Sequence, residues 1–172
     1  MDPPWLERGA GKVKRGADRH YPLMPWPDIV RTVYQSGAWY PAPDSHLYMW
    51  ATANHLPDAL KTMEALGFRY VTQFAWVKWR NERVQIGLGQ YFRGAHELCL
   101  LGTRGRGAQV RTGARNLPSV LLAERGKHSA KPSTARALIE ARSQGPYLEI
   151  FARGEAPPGW TFWGNECSNA PT

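Results

Sequence analysis

With 172 residues, 42% of them hydrophobic and 21% charged, the chain is long enough for one domain with a real core, too short for two comfortable ones and too apolar for disorder. A net charge of +8 and a pI of about 9.8 make a polyanionic partner plausible. Cys99 and Cys167 lie too far apart for a CxxC or a zinc spacing, no apolar run approaches membrane-spanning length, and the acidic, proline-rich start has no leader-like apolar region, so a cytoplasmic protein off the membrane is expected.

In chain order, the first feature is Met1-Asp2-Pro3-Pro4-Trp5. Each proline fixes its own φ and drives the residue before it into an extended conformation, so this stretch forms a stiff turn. Its carbonyls have no ladder of their own to join and are expected to face a ligand, with Asp2 on a loop outside the core. Residues 6–20 are glycine-rich and basic with no apolar period, which predicts a mobile loop, either a lid or a solvated linker. A helix is predicted from about Trp26 to Ser36, with Pro27 in its first turn, Ile29, Val30 and Val33 on its apolar face and Gly37 as its stop.

Leu47–Ala51 reads as a strand buried on both faces, as in a parallel sheet. Asn54 and Pro57 introduce a second helix, with Ala59, Leu60, Met63 and Leu66 on one face and Gly67 at its end. Phe68–Trp79 contains another strand, and Arg80–Arg93 is polar and punctuated by glycine. Glu97–Gly102 is a strand in which Cys99 is a buried thiol. The segment Thr103–Arg115 is basic, Ser119–Ala123 is a short strand, and residues 132–143 form a third helix. Pro146–Ala152 is a further buried strand, Thr161–Asn165 is the last one, and the tail 168–172 is expected to fray. Strands alternating with helices predict an open α/β sheet with ligands bound beyond the carboxyl ends of the strands. A strand feeding Asp2 would complete that rim, and none precedes it in the sequence.

Five separated segments carry a more specific signal. They are Asp2-Pro3-Pro4-Trp5; His20-Tyr21-Pro22 with Met24; Gly87-Leu-Gly-Gln-Tyr-Phe-Arg93 leading to His96-Glu97; His128-Ser-Ala-Lys-Pro132; and Tyr147–Arg153 with Trp163-Gly-Asn-Glu166. In this order and at these spacings the chain resembles the MT-A70 family of S-adenosylmethionine-dependent adenine-N6 methyltransferases acting on RNA or DNA. The resemblance implies a Rossmann-like α/β methyltransferase fold: a mostly parallel open sheet with helices on both faces, in one domain over residues 1–167 lacking an upstream strand. It also implies S-adenosylmethionine as cofactor and nucleic acid as partner, with small size favouring DNA over RNA.

The exocyclic nitrogen of adenine is a poor nucleophile because its lone pair is delocalised into the ring. A carboxylate and a backbone carbonyl that accept its N–H bonds stabilise the positive charge developing there, and positioning supplies the rest. On the resemblance, Asp2 is the acceptor and proton sink, Pro3 and Pro4 shape the carbonyl, and Trp5 is an aromatic wall. Lys131 and Arg153 suit the cofactor's carboxylate, Asn165 and Glu166 its ribose hydroxyls or adenine edge, and Asp2 is also counted among the cofactor-binding residues. Glu166 stands where the family often has glutamine.

Tyr21 is a candidate to touch the target base. Arg104, Arg106, Arg111 and Arg115 are candidates for phosphate, or else simply solubilising charge, with Lys12, Lys14, Arg15 and Arg19 adding to the track. Bland readings stand beside these: Lys131 as an exposed helix start, Arg153 as a solvated strand end, His128 as a loop histidine, and Glu97 as a polar anchor rather than an acid catalyst. The rival functions are an RNA adenosine methyltransferase and an incomplete, noncatalytic nucleic-acid-binding relative.

Overall fold

The computed structural model describes residues 1–6, 22–89, 91–107, 116–126 and 130–167. The expected loop 6–20, apart from Leu6, and the expected tail 168–172 lie outside these residues. The first helix, α1, spans Trp26–Gln35; Pro27 sits in its first turn, Ile29 and Val33 are fully buried, and Gly37 follows at φ 67°, a conformation that glycine reaches without strain.

Three strands form the body of the main sheet. β1 (Ser45–Ala51), β4 (His96–Arg104) and β2 (Arg69–Arg80) lie side by side, with β4 in the middle and antiparallel to both neighbours. β1 and β2 therefore run the same way, connected by α2 (Leu56–Ala65). At the end of β2, the short β3 (Arg83–Val84) folds back through Asn81 and Glu82, whose φ angles of 49° and 58° are the left-handed pair that a two-residue hairpin turn requires. β5 (Val120–Ala123) pairs parallel to Ala75–Lys78 of β2.

This corrects the expectation of a mostly parallel sheet. The apolar run at 47–51 suggested a parallel sheet because it is buried on both faces, yet double-sided burial records only that helices cover both faces. The direction of β4 follows from its connection: no helix lies between β3 and β4, so the chain returns beside β2 and runs antiparallel.

Strand alternation divides the core. Leu47, Met49, Ala51, Leu98 and Leu100 face α1 and α2, packing with Ile29, Val33, Ala59, Met63 and Leu66. Trp50, Phe74, Trp76 and Cys99 point the other way, toward Ala135 and Leu138 of α3 (Ser133–Arg142). Helices on both faces are thus observed. Cys99 is fully buried, and that burial pushes its thiol up to about 12.

Two short parallel pairs complete the architecture: β6 (Tyr147–Ile150) with β8 (Trp160–Trp163), and β7 (Arg153–Gly154) with β9 (Glu166–Cys167). A side chain at Gly164 would run into the Ala152 carbonyl oxygen, so glycine is what lets the two pairs close up. A cavity of about 560 Å³ lies between the edge of β1 and β6, with Ser45–Tyr48 on one wall and Tyr147–Ile150 on the other. Among the described residues no helix is long and apolar enough to cross a membrane.

Candidate active site

Met1 occupies a strand position beside β1: its amino group donates to the Tyr48 carbonyl at 2.7 Å, and its own carbonyl accepts from Trp50 N–H at 3.1 Å. The prolines then turn the chain away. Trp5 N–H donates to the Pro3 carbonyl at 2.9 Å, Met24 N–H to the Pro4 carbonyl at 2.8 Å, and Leu6 N–H to Met24 at 3.0 Å. The Trp5 indole donates to the Trp50 carbonyl at 3.0 Å and stacks on His55, with ring centroids 6.0 Å apart.

Two expectations need correction. The Pro3 and Pro4 carbonyls each have a backbone partner, since buried carbonyls do not go unpaired, although each keeps a second lone pair. Asp2 is not on a loop outside the core, because Met1, Pro3, Pro4 and Trp5 are all buried around it. Trp5 is a wall of the interior, with one face against His55.

Asp2 opens a chain of alternating charges. Lys131 Nζ lies 2.6 Å from Asp2 Oδ2 and 3.3 Å from Glu97 Oε2, and Glu97 Oε1 lies 2.8 Å from Lys78 Nζ. Lys131 also stands over the Trp50 ring, 5.5 Å from its centroid. The Asp2 side chain is 31% exposed, Lys131 17% and Glu97 10%, so the chain runs inward from the surface.

The sequence brings these groups together through strand direction. β1 ends, β4 begins and β2 ends at the same rim, and the segment after β5 returns to it with Lys131 just ahead of α3. Burial on its own would drive the Glu97 carboxyl up, but the ammonium groups of Lys131 and Lys78 outweigh it and hold Glu97 below the usual carboxylate range. For Lys131 burial would lower the ammonium, and Asp2 and then Glu97 outweigh it, leaving Lys131 above its ordinary value. Both remain charged at neutral pH.

Asn165 lines a small cleft with Pro4, Pro22, Met24, Phe151 and Trp163. Arg153 and Glu166 face each other in register in the β7–β9 pair. Phe151, immediately before this pair, takes φ 64°, a strained value for a residue with a side chain.

The expected phosphate-binding residues are placed differently. Arg104 ends β4 beside Ser45, at the opposite end of the sheet from Glu97. Seven steps along the strand separate the two, roughly 24 Å at about 3.4 Å per residue. Arg106 is engaged by Asp44, its backbone N–H donating to Oδ1 at 2.9 Å and its Nε to Oδ2 at 3.2 Å. Neither arginine is brought to Asp2, because β4 runs away from that rim. Tyr21, Arg111 and Arg115 lie outside the described residues, as does His128.

Sequence reasoning missed the part played by Glu97 and Lys78. Glu97 is buried between two lysines, Lys78 of the neighbouring strand and Lys131 of the segment ahead of α3. The one available signal was a carboxylate opening a strand that is otherwise apolar, a position where a charge survives only if it is paired.

Comparison with known proteins supplies the context for this rim. The family model described as MT-A70 matches residues 1–166. A type II methyltransferase, M.MunI, from Mycoplasma sp is 32% identical over 127 residues, covering 73% of this chain and 52% of that protein. An MT-A70-like N(6)-adenosine-methyltransferase of Arabidopsis thaliana is 29% identical, covering 72% of this chain and 18% of its own length. A putative one of Medicago truncatula is 28% identical, with 74% and 22% covered. The chain thus spans about half the length of the first relative, and about a fifth of the plant proteins.

Proposed function

The chain belongs to the MT-A70 family, and on that premise we propose that it transfers a methyl group from S-adenosylmethionine to the N6 amino group of adenine in nucleic acid, DNA ahead of RNA. The observation that carries this reading is the Asp2–Lys131 pair at 2.6 Å, held at the strand-end rim with Glu97 behind it.

The residues present suit the cofactor. Lys131 has three donors and uses two on Asp2 and Glu97, so a third remains for the carboxylate of the methionine part. Arg153 supplies a second cation, and Asn165 and Glu166 supply amide and carboxylate groups for hydroxyls or the adenine edge. When bound, the cofactor supplies an electrophilic methyl on a sulfonium.

Asp2 does the work on the amine. A carboxylate offers about four lone-pair sites, so Asp2 can keep Lys131 on Oδ2 and still accept an N–H bond from the target nitrogen. The second lone pair of the Pro3 or Pro4 carbonyl takes the other N–H. These acceptors, fixed before the substrate arrives, stabilise the charge that grows on nitrogen, and Asp2 receives the proton that must leave. Pro3, Pro4 and the buried Trp5 keep the carboxylate in place.

Identity to a type II methyltransferase over half of that protein supports DNA; the plant relatives' names keep RNA as the second reading. The experiment is transfer of labelled methyl from S-adenosylmethionine to matched duplex DNA and RNA, with calorimetry of cofactor binding. Label in DNA as N6-methyladenine, abolished by Asp2→Ala, is the expected result. Label in RNA alone moves the substrate to RNA, and absence of cofactor binding overturns the reading.

A further inference from the structure

The stretch between β3 and β4, residues 85–95, carries a group of side chains that the proposed chemistry does not use. Ile86 and Leu88 are about two-thirds exposed, Phe92 is 87% exposed and Tyr91 is fully exposed. Apolar groups of this size placed together in water mark a surface made for contact.

The backbone is built to present them. Gly87 N–H donates to the Gly94 carbonyl at 2.7 Å and Gly94 N–H to the Leu88 carbonyl at 3.1 Å, so the segment closes on itself. A side chain at Gly89 would run into the Phe92 carbonyl oxygen. Tyr91 is held at φ 58°, a strained value for a tyrosine. The rings of Tyr91 and Phe92 face outward.

Charge decides between partners. Arg80, Arg83 and Arg93 flank the rings, all exposed, and Glu82 is the one acid between Arg80 and Glu97. Flat rings interleaved with arginines match nucleic acid: guanidinium groups meet phosphate, and aromatic faces meet unstacked bases.

Position agrees. Gln85 N–H donates to the Lys78 carbonyl at 2.7 Å and Lys78 N–H to the Ala95 carbonyl at 2.9 Å. The loop is therefore rooted on Lys78, which pairs with Glu97 in the chain of charges that ends at Asp2. It rises from the same rim, opposite the end that carries Arg104.

We infer that the described residues 85–89 and 91–93 form a nucleic-acid contact in which Tyr91 and Phe92 stack on unpaired bases and Arg80, Arg83 and Arg93 hold the adjoining phosphates. The inference rests on the nucleic-acid partner proposed above and names where that partner is gripped.

The test is fluorescence anisotropy of a single-stranded oligonucleotide of about 20 nucleotides across a salt series, with the intact protein, Tyr91→Ala/Phe92→Ala, Tyr91→Trp/Phe92→Trp and Arg80→Ala/Arg83→Ala/Arg93→Ala. All are surface positions, and an unchanged Tm verifies folding. Removing the rings is expected to weaken binding by about tenfold or more at an unchanged salt slope, and the tryptophan pair restores it. Removing the arginines is expected to flatten the slope by about 2, at about 0.7 per phosphate. Sedimentation of each variant is run beside it. Unaltered affinity without the rings overturns the inference, as does a shift from dimer to monomer at unaltered affinity, which would make the loop a protein interface. Calorimetry with S-adenosylmethionine separates the two proposals: cofactor binding without a ring effect sinks only the loop assignment, and a ring effect without cofactor binding sinks only the methyl-transfer reading.

Discussion

The two ends of the main sheet use the same kinds of side chain to opposite effect. At one end Asp44 and Arg106 form a two-point pair whose arginine is 93% exposed. At the other, Asp2, Lys131, Glu97 and Lys78 alternate in sign from the surface to a carboxylate that is 10% exposed. An exposed pair exchanges one set of water contacts for another and contributes little. A buried pair is held to one geometry, because each charge left without its partner is expensive. Residue type therefore does not distinguish a site from a surface contact here; depth and connectivity do. The deeper end is also where the strands β1 and β2 finish and where the aromatic loop rises.

The strongest way to break this contrast is Lys131→Ala. It strips Asp2 of its cation and leaves Glu97 with Lys78 alone. The expected loss is about 3 kcal/mol, the low end for deleting one partner of a buried pair, or about 6–12 °C in Tm for a chain of this size. Cofactor binding in calorimetry is expected to disappear with it. A Tm within a degree or two of the parent would show that the lysine is not held as the distances imply.

Much of this end was legible in the sequence, and the reasons for the gaps are physical. The helices at 26–35, 56–65 and 133–142 announced themselves by period and by Pro27, Pro57, Gly37 and Gly67. The Asp-Pro-Pro-Trp and Lys131-Pro132 segments stood out as family motifs, but their pairing spans 129 positions and is made by topology. Direction was the harder quantity. An apolar run looks the same whichever way the strand runs, so a mostly parallel sheet was expected and the reversed direction of β4 was not foreseen. That direction carries Arg104 and Arg106 to the opposite end of the sheet from Asp2, whereas Arg80, Arg83 and Arg93 share its rim.

Glu97→Gln sharpens the contrast from inside the chain. The native carboxyl lies below its ordinary value, so its contribution to stability is present above about pH 4.3, the unfolded value, and is lost as pH falls through the lower folded value. Lys131 lies above its ordinary value, so its contribution is fully present below about pH 10.4 and is lost as pH rises through the higher folded value. Tm against pH should show a plateau with a fall on each side. The glutamine variant should lower the plateau by about 1–3 kcal/mol, flatten the acid fall and shift the alkaline fall to lower pH, because Lys131 then keeps only Asp2. Survival of the full acid fall in the variant would assign it to other carboxylates.

Arg106→Ala probes the exposed end, where the smallest effect is expected. Its partner Asp44 is held below the ordinary carboxylate range, first by the Arg106 backbone N–H, a donor that alanine retains. Only the side-chain half of the contact is removed, and that half is bathed in water. Tm should not move measurably, and the salt slope of nucleic-acid binding should stay as it is, because phosphate is gripped at the other end. A slope smaller by about 0.9 on duplex DNA would mean that one phosphate contact had been lost. Arg106 would then lie on the nucleic-acid path despite its distance from Asp2, and the path would have to run the length of β4 rather than stay at the rim.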